Sequence, residues 1–192
     1  MALAFAGNGT ITGLSVGGLP DGTVDADTLA SGVGGKVLQV LQKQYTEMAS
    51  FSHSAGTWTD VPNMSLAITP SASSSKILIT GTISIGHNQY GGLKIVRDST
   101  SIGIGTSVSS RTACHVGNQN HDAASLYESF VHPLHWIDSP ATTSATTYKV
   151  QFRGNGASTG YLNREYTGDD NSNRTVPVST ITLMELSSAT IS

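Results

Sequence analysis

The strongest constraint in this sequence is an alternation of side chains over residues 75–105. Ile77, Ile79, Ile83 and Ile85 share one parity, while Leu78, Thr80, Thr82 and Ser84 share the other. This is the period-2 pattern of a strand buried on one face, and such a strand needs a second layer to cover its isoleucines. Residues 86–92 then return the chain into Leu93-Lys94-Ile95-Val96-Arg97, and residues 98–101 turn it again into Ile102-Gly103-Ile104. Three strands in about thirty residues predict an antiparallel meander, dominated by β-branched side chains that pack well on a pleated surface.

The rest of the chain carries short strand patterns at similar spacing. Val37, Gln39 and Leu41 alternate with Leu38, Val40 and Gln42, so residues 36–42 read as a strand apolar on both faces and covered on both sides. Further patterns lie at residues 58–61, 64–69, 126–137, 148–153, 161–164 and 179–186, with Pro/Ser- or Thr-rich connections at 70–75 and 138–147. A looser stretch spans 47–57, and no long stretch has a helical apolar period. The expected fold is all-β: an antiparallel jelly-roll sandwich over residues 36–192, preceded by a short extended anchor segment at 1–35. That leader is glycine-rich, with a Pro20-Asp21-Gly22 turn. Its Val24, Leu29 and Val33 suit either a narrow stalk of chains meeting on an axis or a disordered leader.

Composition narrows the function classes. Charged residues make up 12% of the chain, against about 25% in ordinary soluble domains, which suits flat sheets packed on other copies. The net charge of −3 and the absence of a Lys/Arg cluster argue against nucleic acid, whose binding needs a basic footprint. MALAFAGNG lacks a basic n-region, and no run reaches membrane-spanning length, so neither secretion by signal peptide nor membrane insertion is expected. Cys114 is the single cysteine; it has no partner for an internal disulfide and reads as a small apolar residue.

Sequence motifs for chemistry fail on context. Gly13-Leu14-Ser15-Val16-Gly17 matches a nucleophile elbow, but no helix pattern follows it. Residues 32–36 resemble a phosphate loop, except that Val37 stands where Ser or Thr is needed and Ala30 where the first glycine is needed. His132 and His135 are three apart, which on a strand places them on opposite faces, so they cannot share a metal within one chain unless Pro133 breaks the strand. Residues 168–173 offer oxygen ligands without the spacing of a calcium loop, and no pair of carboxylates is recognisably set for glycoside cleavage. The expectation is a non-enzymatic protein with no cofactor and no metal.

Two resemblances sharpen this reading. The succession of residues 125–131, residues 138–150, the short Gly160-Tyr161-Leu162 strand and the closing STITLMEL resembles the jelly rolls of the tumour-necrosis-factor and complement-globular-head class. That resemblance implies a homotrimer built around the first and last strands. The phrases GTITGLSVGGLPDGTVDADTLASGVGGKVLQVLQ, TPSASSSKILIT, YGGLKIVRDSTSIGIG and DSPATTSATTYKVQFR resemble short tail-fibre and related virion proteins of tailed bacteriophages. This implies a virion fibre that joins other tail, baseplate or capsid proteins through residues 1–35. The alternative within the same resemblance is a head-decoration or baseplate protein that binds only other virion proteins.

The candidate residues follow. For a trimer, either the odd-parity set Ile181 and Leu183 with Val37 and Gln39, or the even set Met184 and Leu186 with Leu38 and Val40, would face the axis. Counting strands up and down from an anchored end sorts the polar loops to the far end and the Ser/Thr-rich turns to the near end. The far loops hold His87, Asn88, Gln89, Tyr90, Asn118, Asn120, Asp169, Asp170 and Asn171. Amides and carboxylates beside an aromatic suit a sugar, so a host cell-surface glycan is the expected ligand.

Overall fold

The structure is a computed structural model, and it describes residues 37–118 and 128–187 together with the backbone of two short strands nearer the N-terminus. The chain divides into two compact units, Met1–Lys36 with Ala189–Ser192, and Val37–Ser188. In the first, β1 (Ala4–Phe5) pairs antiparallel with β2 (Ile11–Thr12). The rest of the expected anchor, including Val24, Leu29 and Val33, lies outside the described residues, as does Asn120.

The second unit is all-β among its described residues. Its strands are β3 (Val37–Tyr45), β4 (Ala49–His53), β5 (Thr59–Ile68), β6 (Lys76–Gly86), β7 (Gly91–Arg97), β8 (Thr100–Ile102), β9 (Val116–Asn118), β10 (Phe130–Asp138), β11 (Thr146–Gly154), β12 (Ser158–Leu162) and β13 (Ser179–Leu186). They form two antiparallel sheets. In the first, β6 is central. One of its edges is paired along Ile77 to Ile85 by β10, and the other is shared by β13 over Lys76 to Thr82 and β12 over Ile85 and Gly86. Outside these lie β3, on β13, and β4, on β12. The second sheet runs β5, β11, β7, with β8 and β9 sharing the free edge of β7.

The alternation in β6 works as expected. Ile77, Ile79, Ile83 and Ile85 are fully buried between the sheets, with Leu93 and Ile95 of β7 and Tyr148, Val150 and Phe152 of β11. Burying side chains of this size stabilises by about 1.5–3 kcal/mol each. The looser stretch at 47–57 contains β4, which carries few large apolar residues and was therefore hard to see as a strand. The two patterns at 58–61 and 64–69 are one strand, β5, whose register against β11 shifts between Lys149 and Gln151. Asn63, with φ of 62°, is the residue that bends it. Both β5 and β10 pair on one side only and carry a proline, Pro62 and Pro133, within the strand.

The trimer candidates separate by parity. Ile181 and Leu183 face inward and are fully buried in the core of the single chain, so they are not available to a subunit interface. The even set lies on the outer face, where Val40, Met184, Leu78 and Ile137 stand in one cross-strand row over four strands. Val37, Leu38 and Val40 are about half exposed there, whereas the sequence pattern predicts a strand covered on both sides. Beyond that row the outer face carries no Lys, Arg, Asp or Glu in the next two rows, with Gln42, Thr182, Thr80 and His135 in register, then Gln44, Thr180, Thr82 and Pro133.

Candidate functional site

Hydrogen bonds between connections define two opposite ends of the sandwich. At one end, Gln39 Nε2 donates to the Thr69 carbonyl at 2.8 Å, Lys76 Nζ to Ser139 Oγ at 2.7 Å, and the Asp98 amide to the Thr147 carbonyl at 2.8 Å. Val37, where the chain enters the sheet, is at this end opposite Leu186. The serines of the 70–75 connection have a specific task there. Ser71, through its amide and hydroxyl, and Ser75, through its hydroxyl, donate to Glu185 at 2.6–2.7 Å, and Gln39 Nε2 adds a fourth donor at 2.6 Å. Burial pushes the Glu185 carboxyl up, but the donors outweigh it and hold it below the ordinary carboxylate range. Nearby, Asp138 accepts from Tyr148 Oη at 2.7 Å and from Arg97 Nη1 at 2.8 and 3.0 Å.

The opposite end gathers the polar loops. The Gly56 amide donates to the Gly154 carbonyl at 2.8 Å, the Asn155 amide to the Tyr90 carbonyl at 2.9 Å, and Ser158 Oγ to Asn88 Oδ1 at 2.7 Å. Gln89 Nε2 also reaches Asn88 Oδ1 at 3.3 Å. Three connections are thereby tied together, with Tyr90 left about half exposed. The segment after β8 folds back along the outer side of β7, where Gly92 permits a close approach. A Cβ on Gly92 would stand 3.0 Å from the Val116 carbonyl oxygen and 3.2 Å from Cys114 Sγ.

Between this segment and the start of β5 lies a cleft of about 810 Å³ lined by Trp58, Tyr90, Arg111, Cys114, Arg153 and Asn155, with Gly91, Gly92 and Gly117 in its wall. Lys94 Nζ sits 4.6 Å from the Trp58 ring centroid, a cation–π contact that fixes the indole. Arg153 Nε donates to the Gly56 carbonyl at 2.9 Å. Burial raises the Cys114 thiol above its ordinary value, so it is a thiol rather than a reactive thiolate.

Of the residues selected from sequence, Asn88, Gln89 and Tyr90 come together at this end, and Asn118 belongs to β9, paired with Gly91 at the same end. Asp169, Asp170 and Asn171 do not join them. Their loop leaves the sheet where β12 gives way to β13 and is absent from the cleft lining. It is closed by Arg174, whose Nη2 meets Asp169 Oδ1 at 2.9 Å and whose amide donates to the Asn171 carbonyl at 2.9 Å. His87 is a correction. It continues the inward parity of Ile83 and Ile85 and is fully buried, so it cannot touch a receptor. Trp58, Arg111, Arg153 and Asn155 were not selected from sequence.

His87 belongs instead to a buried group with His53 and His132. His87 packs on Phe130 and Phe152 at ring-centroid distances of 5.9 and 4.9 Å, and His53 on Phe152 at 5.0 Å. The Gln89 amide donates to His87 Nδ1 at 3.3 Å. Neither ring nitrogen of His53 makes a side-chain hydrogen bond of standard geometry, although the Ser54 backbone lies near enough to favour its charged form slightly. Burial lowers His87 and His132 to about 4, with His53 adding to the effect on His87 and His87 to that on His132. Burial lowers His53 as well. His135, three residues from His132, is exposed on the other face of β10.

No known protein-family model matches the chain, and no curated protein matches it. Among solved structures it is similar to the infectious bursal disease virus VP2 subviral particle, with a TM-score of 0.42 and 11% identity over 79% of this chain and 33% of that one. It is similar also to the structure of the Gt strain of that virus, with a TM-score of 0.40 and 13% identity over 80% of this chain and 44% of that one. The chain thus spans less than half the length of either structure.

Proposed function

We propose that this chain is a non-enzymatic virion structural protein, a homotrimer that joins the particle through residues 1–35 and meets a host cell-surface glycan at the cleft end of its sandwich. The observation that carries this reading is the polarity of the molecule. The chain enters at Val37 beside the Ser-rich connections, while the exposed aromatic Tyr90 and its amide neighbours lie at the opposite end. The strand order supports a jelly roll. Counting β3 with β4, β12 with β13, and β8 with β9 as interrupted strands, it gives two four-strand layers like those of two nested Greek keys.

The trimer reading is supported by the half-exposed row on the outer face of β3, β13, β6 and β10. A permanent interface of this kind buries about 2,000–5,000 Å², and the uncharged Gln and Thr rows beside the apolar one are cheap to desolvate against a like surface. The wild-type protein is expected to sediment as a trimer at micromolar concentration. Val40→Asp with Met184→Asp should sediment as a folded monomer, checked by circular dichroism, because two carboxylates then lie on the axis-facing row. A wild-type monomer would remove the trimer from the proposal.

Host contact is tested on intact virions. Tyr90→Ala should reduce adsorption about tenfold or more, because one shallow sugar site binds only at about millimolar strength and repetition multiplies any loss. Normal adsorption in Tyr90→Ala, together with a loss on altering residues 139–145, would invert the orientation. Normal adsorption in both would leave a protein that binds only other virion components.

A further inference from the structure

The cleft is a distinct feature of the described surface, and its charge is one-sided. Among the described residues no carboxylate lines it, yet Arg111 and Arg153 do, with Lys94 against the Trp58 at its side. The chain has a net charge of −3, so this local excess runs against the overall balance. The nearby carboxylate, Asp60, is already engaged by Lys149 Nζ at 2.8 Å and Gln151 Nε2 at 2.6 Å. The other arginines have different neighbours: Arg97 is held by Asp138, Arg174 by Asp169, and Arg164 lies over Tyr161. Arg111 and Arg153 have no carboxylate partner among the described residues.

Two arginines, two aromatic residues and Asn155 line one open cleft. Guanidinium groups pair with carboxylates in a two-pronged geometry that neutral hydroxyls do not reproduce, and Trp and Tyr rings offer flat apolar surface to a pyranose face. We infer that the cleft binds an acidic glycan, with Arg111 and Arg153 receiving sugar carboxylates and Trp58 and Tyr90 stacking on the rings. This rests on the host-contact reading and deepens it by naming the ligand's charge.

The test uses the full-length protein and two probes of equal length, an oligogalacturonate and a neutral galacto-oligosaccharide, titrated by calorimetry up to millimolar concentration. The expected result is binding of the acidic oligomer only, weakened by added salt. Arg111→Ala should weaken it about tenfold, the scale of one charge-assisted hydrogen bond. Arg111 is exposed with no side-chain partner among the described residues, so this variant should fold normally. Arg153→Lys keeps the charge but loses the fork, and should weaken binding by a similar factor. Equal binding of both oligomers, no binding of the oligogalacturonate, or full binding by Arg111→Ala would each overturn the inference. Adsorption of virions carrying Arg111→Ala separates the two readings. Acid-specific binding with unchanged adsorption leaves the cleft assignment standing and removes host contact. Adsorption that depends on Tyr90 but not on Arg111, with no acid-specific binding, does the reverse.

Discussion

Lowering the pH from 7 to about 4.5 is expected to cost this sandwich several kcal/mol of stability, and the buried histidines are the reason. In the folded chain His87 and His132 titrate at about 4, whereas in the unfolded chain they return to the ordinary value near 6.5. The folded state therefore binds fewer protons than the unfolded state between those limits. Above pH 6.5 both states carry neutral rings and stability is whole. As the pH falls below 6.5 the unfolded chain gains protons first, and stability declines by about 1.4 kcal/mol per pH unit for each histidine until the folded rings titrate too. The full span is worth roughly 3 kcal/mol for each of the two, with His53 adding to it in the same direction. Glu185, whose carboxyl is held low, begins to lose its contribution only as the pH falls through the ordinary carboxylate value, so most of the histidine decline comes first. Urea unfolding at fixed protein concentration from pH 7.5 to 4.5 would show the decline. His132→Leu should flatten the slope by about one proton's worth. A urea midpoint that stays constant between pH 7 and 5 would contradict the assignment.

Asp138→Ala is expected to be the most damaging single substitution at the opposite end, by about 3–5 kcal/mol, the range for removing one member of a buried charge pair. Asp138 is 7% exposed and Tyr148 is fully buried, so the variant leaves the tyrosine hydroxyl with no water to replace its lost acceptor. It also strips Arg97 of its ion pair at 2.8 Å. The same contacts raise the Tyr148 phenol above its ordinary value, first through burial and then through its hydrogen bond to Asp138. Tyr148→Phe removes only the hydroxyl and should cost about 1 kcal/mol. The comparison by urea unfolding distinguishes the network from packing, since equal losses in the two variants would assign Asp138 no role beyond its contact with Tyr148.

The core was legible because its signal is local. Ile77, Ile79, Ile83 and Ile85 announce a buried face within nine residues, and a strand's side chains cannot change sides without a slip in register. His87 carried the same signal, since it continues their parity, but its place in a run of polar residues made it look like part of a loop. The parity of Ile181 and Leu183 was not legible, because β13 has apolar residues on both sides and only pairing with Gly81 and Ile79 shows which face turns inward. The cleft was least legible of all. Arg153 and Asn155 stand beside Tyr90 only because β11 and β7 pair with Gly154 opposite Gly91. Trp58 arrives from a third strand and Arg111 from the segment between β8 and β9. No spacing within one stretch of sequence encodes such a meeting. Glu185 is similar: its donors lie 110, 114 and 146 residues away.

The prolines in the border strands have a consequence for how many copies of this protein can coexist at high local concentration. A strand at the margin of a sheet offers a ladder of unused amides onto which another chain can zip, and that reaction has no natural end point. Here Pro62 deletes a donor from β5 and Pro133 one from β10, and the bend at Asn63 twists β5 out of line. Of the two remaining margins, one is cut into the short pieces β8 and β9, while the other is divided between the five-residue β4 and the nine-residue β3. Growth by strand annexation is thus hindered at three of the four borders, and in the proposed trimer association runs instead through the broad face of the sheet, where rotational closure sets a finite number of subunits.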